Sequence, residues 1–462
     1  MSTLSGYPTS FGTLGIEAYL SVSNIPAIVT EWSALFPLAS HLANQGEDHH
    51  MVGELALAGH LTVGLFPKLG YLDGIRRLLQ GGSDFFDRAN AKSGSSYKVW
   101  DVNWGSVFTR ANGSAISIIT HYALRKHPKA IRMPEEVLAE PRKSSGATPA
   151  AVPAPGLQTK IITEPSFRRH QDLHIIRMSR NNHTRTVRGT VLRLMVSRFG
   201  DFAYYFVLLG LIVVLCLLGA FGSAAVVFNG LISKLVCRLL RAERPSGYLE
   251  SNENHEACML SAVHENASTW YLYMGDRGVI DWLLNKTMLA TPSASRLQMA
   301  YFRLAHPLQL LAMTFVAAQK GVDGISLVVI LVVNYGFQYL FGGHKMARQW
   351  LEAEHVSVDA HTFRFTGRTP MVGAIHTISQ ARDSTWMDTL ITPAPRIRVW
   401  LDELKCDEGK RAQLDIDLQR LSISDRSWVL LNSQLAIKAG RQIERTMSYG
   451  KTTESLYVKG DL

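Results

Sequence analysis

Cysteine is scarce in this chain: Cys216, Cys237, Cys258 and Cys406 are the four in 462 residues, with no C-x-x-C pair. That excludes a disulfide framework and a thiolate-built structural zinc site. Charge is also low, 19% against 47% hydrophobic, which is too apolar for a disordered chain and charge-poor for an ordinary soluble one. The first 30 residues hold no Lys or Arg, which argues against a secretory n-region and an arginine-rich presequence. Ser2 stands where myristoylation needs Gly. No G-x-S-x-G, Walker loop or dinucleotide fingerprint occurs, so no cofactor is expected and a non-enzyme is favoured.

Long uncharged runs are what the chain does have. Residues 202–233 form 32 positions without a charged side chain, against the ~20 that a helix needs to cross a hydrocarbon core. One long, tilted transmembrane helix is expected here; the other reading is a hairpin of two short arms about Gly219-Ala220-Phe221-Gly222. Residues 324–343 form a second expected span, and 304–319, entered through His306 and Pro307, cross, kink or re-enter. Lys320-Gly321-Val322-Asp323-Gly324 between them reads as a hairpin turn. The expected fold class is mainly α: an integral, multi-pass membrane protein with two to three transmembrane helices and helical extramembrane regions. A single first span places the segments before and after it on opposite sides of the bilayer.

Composition divides the remainder. Residues 1–133 read as a small N-terminal domain or membrane-associated region, 134–165 as a Pro/Ala/Ser-rich linker, 234–299 as a polar loop, and 344–462 as a C-terminal extramembrane region in which Leu414, Leu418 and Leu421 recur at helical spacing. Residues 166–200 carry Arg168, Arg169, Arg177, Arg180, Arg185, Arg188, Arg193 and Arg198 against Asp172 alone. This juxtamembrane arginine segment accounts for much of the formal charge of +10. Between Arg168 and Arg198 it offers almost no aromatics for base stacking, so anionic lipid headgroups rather than nucleic acid are the expected partner. Gly219, Gly222, Ser223 and Ala224 offer small residues through which the first span can pair with another copy.

Candidate chemistry is thin. His49, His50 and Glu54 supply imidazole and carboxylate groups that hold a metal if helical, or else form a solvated polar turn. His170 and His174 share an i, i+4 spacing but lack the Glu of a zincin motif. Asp276 opens a helix as its cap or serves as a buried acid, and Asp281 and His306 are the other candidate acids or bases near the bilayer. Sequons stand at Asn112, Asn182, Asn266 and Asn285, and the last two are the expected glycan sites if the loop after the first span is lumenal.

The two densest stretches are Trp270–Leu289 (WYLYMGDRGVIDWLLNKTML) and Trp386–Leu401 (WMDTLITPAPRIRVWL). With the runs around them they resemble a group of uncharacterised multi-span membrane proteins of filamentous fungi, over roughly residues 200–405. The resemblance implies a membrane location and no particular activity, cofactor or catalytic residue. Two functions follow: a non-catalytic scaffold, accessory or small-molecule-handling membrane component, and an integral-membrane enzyme acting on a lipid-soluble substrate, with fungal secondary metabolism as its setting.

Overall fold

A computed structural model describes residues 26–43, 47–61, 63–91, 97–133, 169–180, 203–240, 242–290, 295–319, 321–380, 383–405 and 411–457. The chain is mostly helical, as expected, and it also builds a seven-stranded sheet. In chain order the elements are α1 (Ala27–Ala43), α2 (Asp48–Ala58), α3 (Tyr71–Ala91), β1 (Lys98–Asp101), β2 (Val107–Thr109), α4 (Gly113–Leu124), β3 (Ala130–Arg132) and β4 (Gln171–Arg180). Then follow α5 (Ala203–Leu217) and α6 (Phe221–Leu239), β5 (Ala257–Ala262), β6 (Thr269–Gly275), α7 (Arg277–Leu284), α8 (Arg296–Gln319), α9 (Val322–Ala353) and β7 (Val356–Phe365). The chain ends in α10 (Arg368–Ser379), α11 (Pro395–Leu404), α12 (Arg411–Arg420) and α13 (Ile423–Tyr457).

The strand order is β2-β1-β5-β6-β4-β7-β3. β4 lies inside it, parallel to β6 from Asp172 opposite Thr269 to Met178 opposite Gly275, and antiparallel to β7 along ten residue pairs. Both faces are covered, which is why β5 (ACMLSA) is buried at every position and shows no alternation. Ile176, Met178, Met259 and Tyr273 face α2, α4 and α7. Leu173, Ile175, Trp270, Leu272 and Phe363 face α10 to α13. Trp386 and Trp400, on either side of Pro393 and Pro395, are fully buried in that second core, as are Leu414 and Leu418 at the spacing read from sequence.

These pairings correct the division by composition. β1 pairs with β5 and β3 with β7, so residues 1–133 are not a separate domain. The span 234–299 is not a polar loop, because it supplies two central strands and α7. Residues 171–180 of the arginine segment are a strand whose backbone is bonded on both sides. Arg177 lies 3.4 Å from Glu256, and Arg180 donates to the Leu249 carbonyl at 3.3 Å. Arg168, Arg185, Arg188, Arg193, Arg198 and the 134–165 linker lie outside the described residues.

The 32-residue apolar run is two helices, not one. The helix breaks at Leu218–Ala220, where Gly219 takes φ 74°, a left-handed conformation that glycine adopts without strain. α5 and α6 form one hairpin and α8 and α9 a second, turning at Gly321 as the sequence suggests. The roots of both pack on the sheet core through Cys237, Phe302, Ala305 and Trp350. The distal parts share a separate apolar cluster of Leu208, Leu215, Val227, Met313, Val316 and Leu327. Since β4 precedes the first hairpin and β6 follows it, both flanks lie on the same side of any membrane, which overturns the opposite-sides expectation.

The two tips are fastened together. Asp323 is 3% exposed, and its carboxylate accepts from the Gly222 amide at 2.8 Å and the Ser223 amide at 2.6 Å. It thereby caps α6 from the other hairpin, while the Ser223 hydroxyl donates to the Asp323 carbonyl at 2.6 Å. A Cβ on Gly222 would stand 2.6 Å from the Asp323 carboxylate. The small residues Gly222, Ser223 and Ala224 are thus buried inside the chain, while Gly219 is only half-buried.

Asp323→Ala removes the acceptor of two buried amides and should lower stability by about 2–4 kcal/mol, read as a fall in the thermal midpoint in detergent. An unchanged midpoint would mean that the cap holds nothing. His376 on α10 is 3% exposed, and burial, with Lys405 adding, lowers its pKa to about 4. The unfolded chain takes up this proton near the ordinary 6.5 and the folded one only near 4, so stability should fall with pH across that window by about 3 kcal/mol and level off below it. His376→Leu should flatten that slope in unfolding measured from pH 7 to 4.

Candidate functional site

A cleft of about 160 Å³ lies between α4 and the sheet. Its floor is Tyr271 and Tyr273, alternate residues of β6 that share a face because side chains alternate along a strand. The Tyr273 hydroxyl lies 3.1 Å from the Thr120 hydroxyl of α4, and the Tyr271 ring stacks on His174 at 5.0 Å. Burial pushes Tyr271 up to about 12, with Tyr97 adding, so it stays a neutral phenol at physiological pH. His174 is tied to β7 through Thr362 at 2.8 Å.

Arg110, just past β2, is the permanent cation of the cleft. Its guanidinium sits 3.9 Å from the centre of the Tyr97 ring, and one arm donates to the Gly113 carbonyl at 3.3 Å. Its Nε is buried and has no hydrogen-bond partner. Ser114, Ser117 and His121 of α4 line one wall, and His49 and His50 of α2 the mouth. The Ser114 hydroxyl is 3.4 Å from His50 Nδ1. No Asp or Glu is among the thirteen lining residues. Burial lowers the pKa of His50, with its neighbour His49 adding, so that side chain is neutral near pH 7.

Of the residues singled out from sequence, His49 and His50 reach this cleft but Glu54 does not join them; it accepts from the Tyr71 hydroxyl at 3.4 Å. Glu47 takes its place, 3.2 Å from His49 Nδ1 and 3.3 Å from His50 Nε2. The three can chelate an ion, although Glu47 and the His50 side chain are about 60% exposed (59% and 60%), and the trio is equally a carboxylate bonded to two imidazoles. Asp276 caps α7, accepting from the Val279 amide at 3.0 Å, and Arg277 beside it pairs with Asp101 of β1 at 2.9 Å. Asp281 pairs with Lys286 at 2.8 Å. His306 lies on α8 with Nδ1 buried and without a hydrogen-bond partner. Asp276 and Asp281 both belong to α7 but are engaged separately, and His306 lies on α8, so the three candidate acids or bases do not converge.

The sequons part company. Asn266 is exposed, with its side-chain oxygen 3.0 Å from Arg368, and Asn285 is exposed beside Asp281. Asn112 is buried, and its amide nitrogen lies within 3.0 Å of the Trp282, Leu283 and Lys286 carbonyls. It closes the C-terminal end of α7, where carbonyls have no partner within the helix. Asn182 lies outside the described residues.

Sequence reasoning missed Tyr97, Arg110, Tyr271 and Tyr273 as members of one site. The alternation of Tyr271 and Tyr273 with Trp270, Leu272 and Met274 was the available signal. No known family, curated protein or solved structure matches the chain.

Asn112→Ala strips three carbonyls of their donor and should cost about 2–4 kcal/mol, read by denaturant unfolding. Native protein made in a glycosylating host should carry no glycan on Asn112 by peptide mass mapping; a modified Asn112 would contradict its burial.

Proposed function

We propose that this is an integral membrane protein held in the bilayer by its two helical hairpins, with the α/β body on one side binding a small anionic molecule in the cleft. The observation that carries the anchor is the apolar exterior of the hairpin bundle. Phe206, Val207, Val213, Leu304, Leu311 and Val332 are each half or more exposed, around an interior that is itself apolar. A contiguous surface of this kind on a water-soluble monomer is rare. Among the described residues α6 is the one helix long and apolar enough to cross a membrane; Ala203–Leu217 and Val322–Gly336 are shorter. At 1.5 Å per residue a 15-residue arm reaches about 22 Å, so hairpins that enter and leave by the same face suit this bundle better than independent spans. Trp32 and Leu35 on α1, both 59% exposed, extend the apolar surface.

The carboxylate-free lining around Arg110 supports the second half of the reading. A guanidinium with a free buried N–H, three imidazoles and several hydroxyls suit a carboxylate or phosphate group, so the class favoured is a small-molecule-handling membrane component. The enzyme reading draws on one observation, the unpartnered buried nitrogens of His41 on α1 and His306 on α8. Loss of turnover of a lipid-soluble substrate in His306→Gln, with the fold intact, would favour it.

The anchor is tested with cysteine reporters at Arg169, Ser251 and Arg398, all exposed, in a background with the native thiols replaced. The protein should stay in the membrane through alkaline carbonate. An impermeant maleimide should label all three sites from one side; labelling of Arg169→Cys and Ser251→Cys from opposite sides would overturn the hairpin. For the cleft, phosphate should bind the purified protein by calorimetry and bind Arg110→Gln about tenfold or more weakly, the ~1.4 kcal/mol or more that a charge-assisted bond is worth. Because an anion favours the charged form of His50, binding should take up a proton and tighten as pH falls below 6.5. Equal affinity at pH 7.5 and 5.5 would remove His50 from the site.

A further inference from the structure

On the other face of the sheet, away from the cleft, β7 carries Asp359 and His361 at alternate positions, and their side chains therefore point the same way. His127, in the connection between α4 and β3, is brought beside them because β3 pairs with β7, Ile131 opposite Phe363. The Asp359 carboxylate stands between the two imidazoles, Oδ1 3.7 Å from His127 Nε2 and Oδ2 3.3 Å from His361 Nε2. The rings lie nearly parallel with centroids 4.5 Å apart. Two imidazole nitrogens and one carboxylate oxygen thus lie within 4.8 Å of one another.

His361 Nε2 is buried and has the Asp359 carboxylate 3.3 Å away as an ion-pair partner, without a well-formed hydrogen bond. A buried nitrogen whose polar contact is poorly formed carries part of its desolvation cost. An ion coordinated by it would remove that cost. Donor atoms around a tetrahedral zinc at ~2.0–2.1 Å stand about 3.3 Å apart, so small side-chain rotations would close this set on one. The cation opposite Asp359 in the β4 register, Arg177, is directed to Glu256 at 3.4 Å, so it is already engaged. His127 is half exposed, which leaves a route for an ion to enter.

We propose that His127, Asp359 and His361 form a binding site for a divalent transition-metal ion of the zinc class. Two imidazoles select against magnesium and calcium, which take oxygen ligands. Three protein ligands leave at least one position for water or a further group, the pattern of open sites rather than of closed structural ones. The site is independent of the Arg110 cleft and of the membrane reading.

The test is cobalt(II), whose visible bands report nitrogen and oxygen ligands, titrated into the full chain in detergent after chelator treatment. One equivalent should bind, displaced by zinc and not by magnesium. Removing even an outer-shell partner of a metal costs roughly 10–100-fold in affinity, so His127→Ala and His361→Gln should each weaken binding at least about tenfold. His49→Ala with His50→Ala, at the other imidazole cluster, should leave it unchanged. His127 is at the surface, so its variant should keep the metal-free thermal midpoint, and that control separates a lost ligand from a lost fold. Absence of binding by the parent protein, retention by both His127→Ala and His361→Gln, or loss in the His49/His50 double variant would each overturn the proposal.

Discussion

The backbone bonding of β4 is the constraint on which the rest of the molecule depends. This strand lies between β6 and β7, with one helical hairpin inserted between β4 and β6 in the chain and a second between β6 and β7. A buried strand leaves no amide unpaired, so the segment before the first hairpin, the segment between the hairpins and the segment after the second are held within one sheet. Each hairpin must then leave the sheet and come back to it. The number of apolar runs does not decide the topology of the chain; the hydrogen bonds of ten residues do.

The distal ends of the hairpins have no sheet to hold them. There the chain uses Asp323, a carboxylate that burial would penalise heavily were it not bonded to the first amides of α6. The same contact satisfies orphan amides of a helix start and places a negative group at the positive end of the helix dipole. Gly222 leaves the carboxylate room to approach. One acid in an otherwise apolar cluster thus registers two hairpins that share few other polar contacts.

The sheet also separates two kinds of chemistry. On the α4 side, Tyr271, Tyr273 and Arg110 make a cleft without carboxylates, and on the α10 side Asp359 lies between two imidazoles. The segregation follows from strand pleat: Thr362 and Ala360 of β7 face the first core while His361 and Asp359 face away from it. A one-residue slip of β7 against β4 would exchange these sets and bury the charged group in the first core.

The sequence alone determined the presence of long apolar runs, the hairpin turn before Asp323, the helix opened by Asp276 and the helical spacing of Leu414 and Leu418, because each of these is set by neighbours within a few residues. The sheet escaped notice for a physical reason. β5 is buried on both faces and shows no period of two, and the alternation in β4 and β7 was hidden among arginines and histidines that read as surface. The break at Gly219 was visible as a choice between one helix and two, and the contact that settles it comes from Asp323, a hundred residues on. Of the cleft, His49 and His50 were legible as a polar cluster, while Arg110 and the two tyrosines were joined to them only by the strand register. Tertiary structure decided which segments share the sheet and which side chains meet, because both follow from pairing between residues far apart in the chain, and no local pattern encodes a partner.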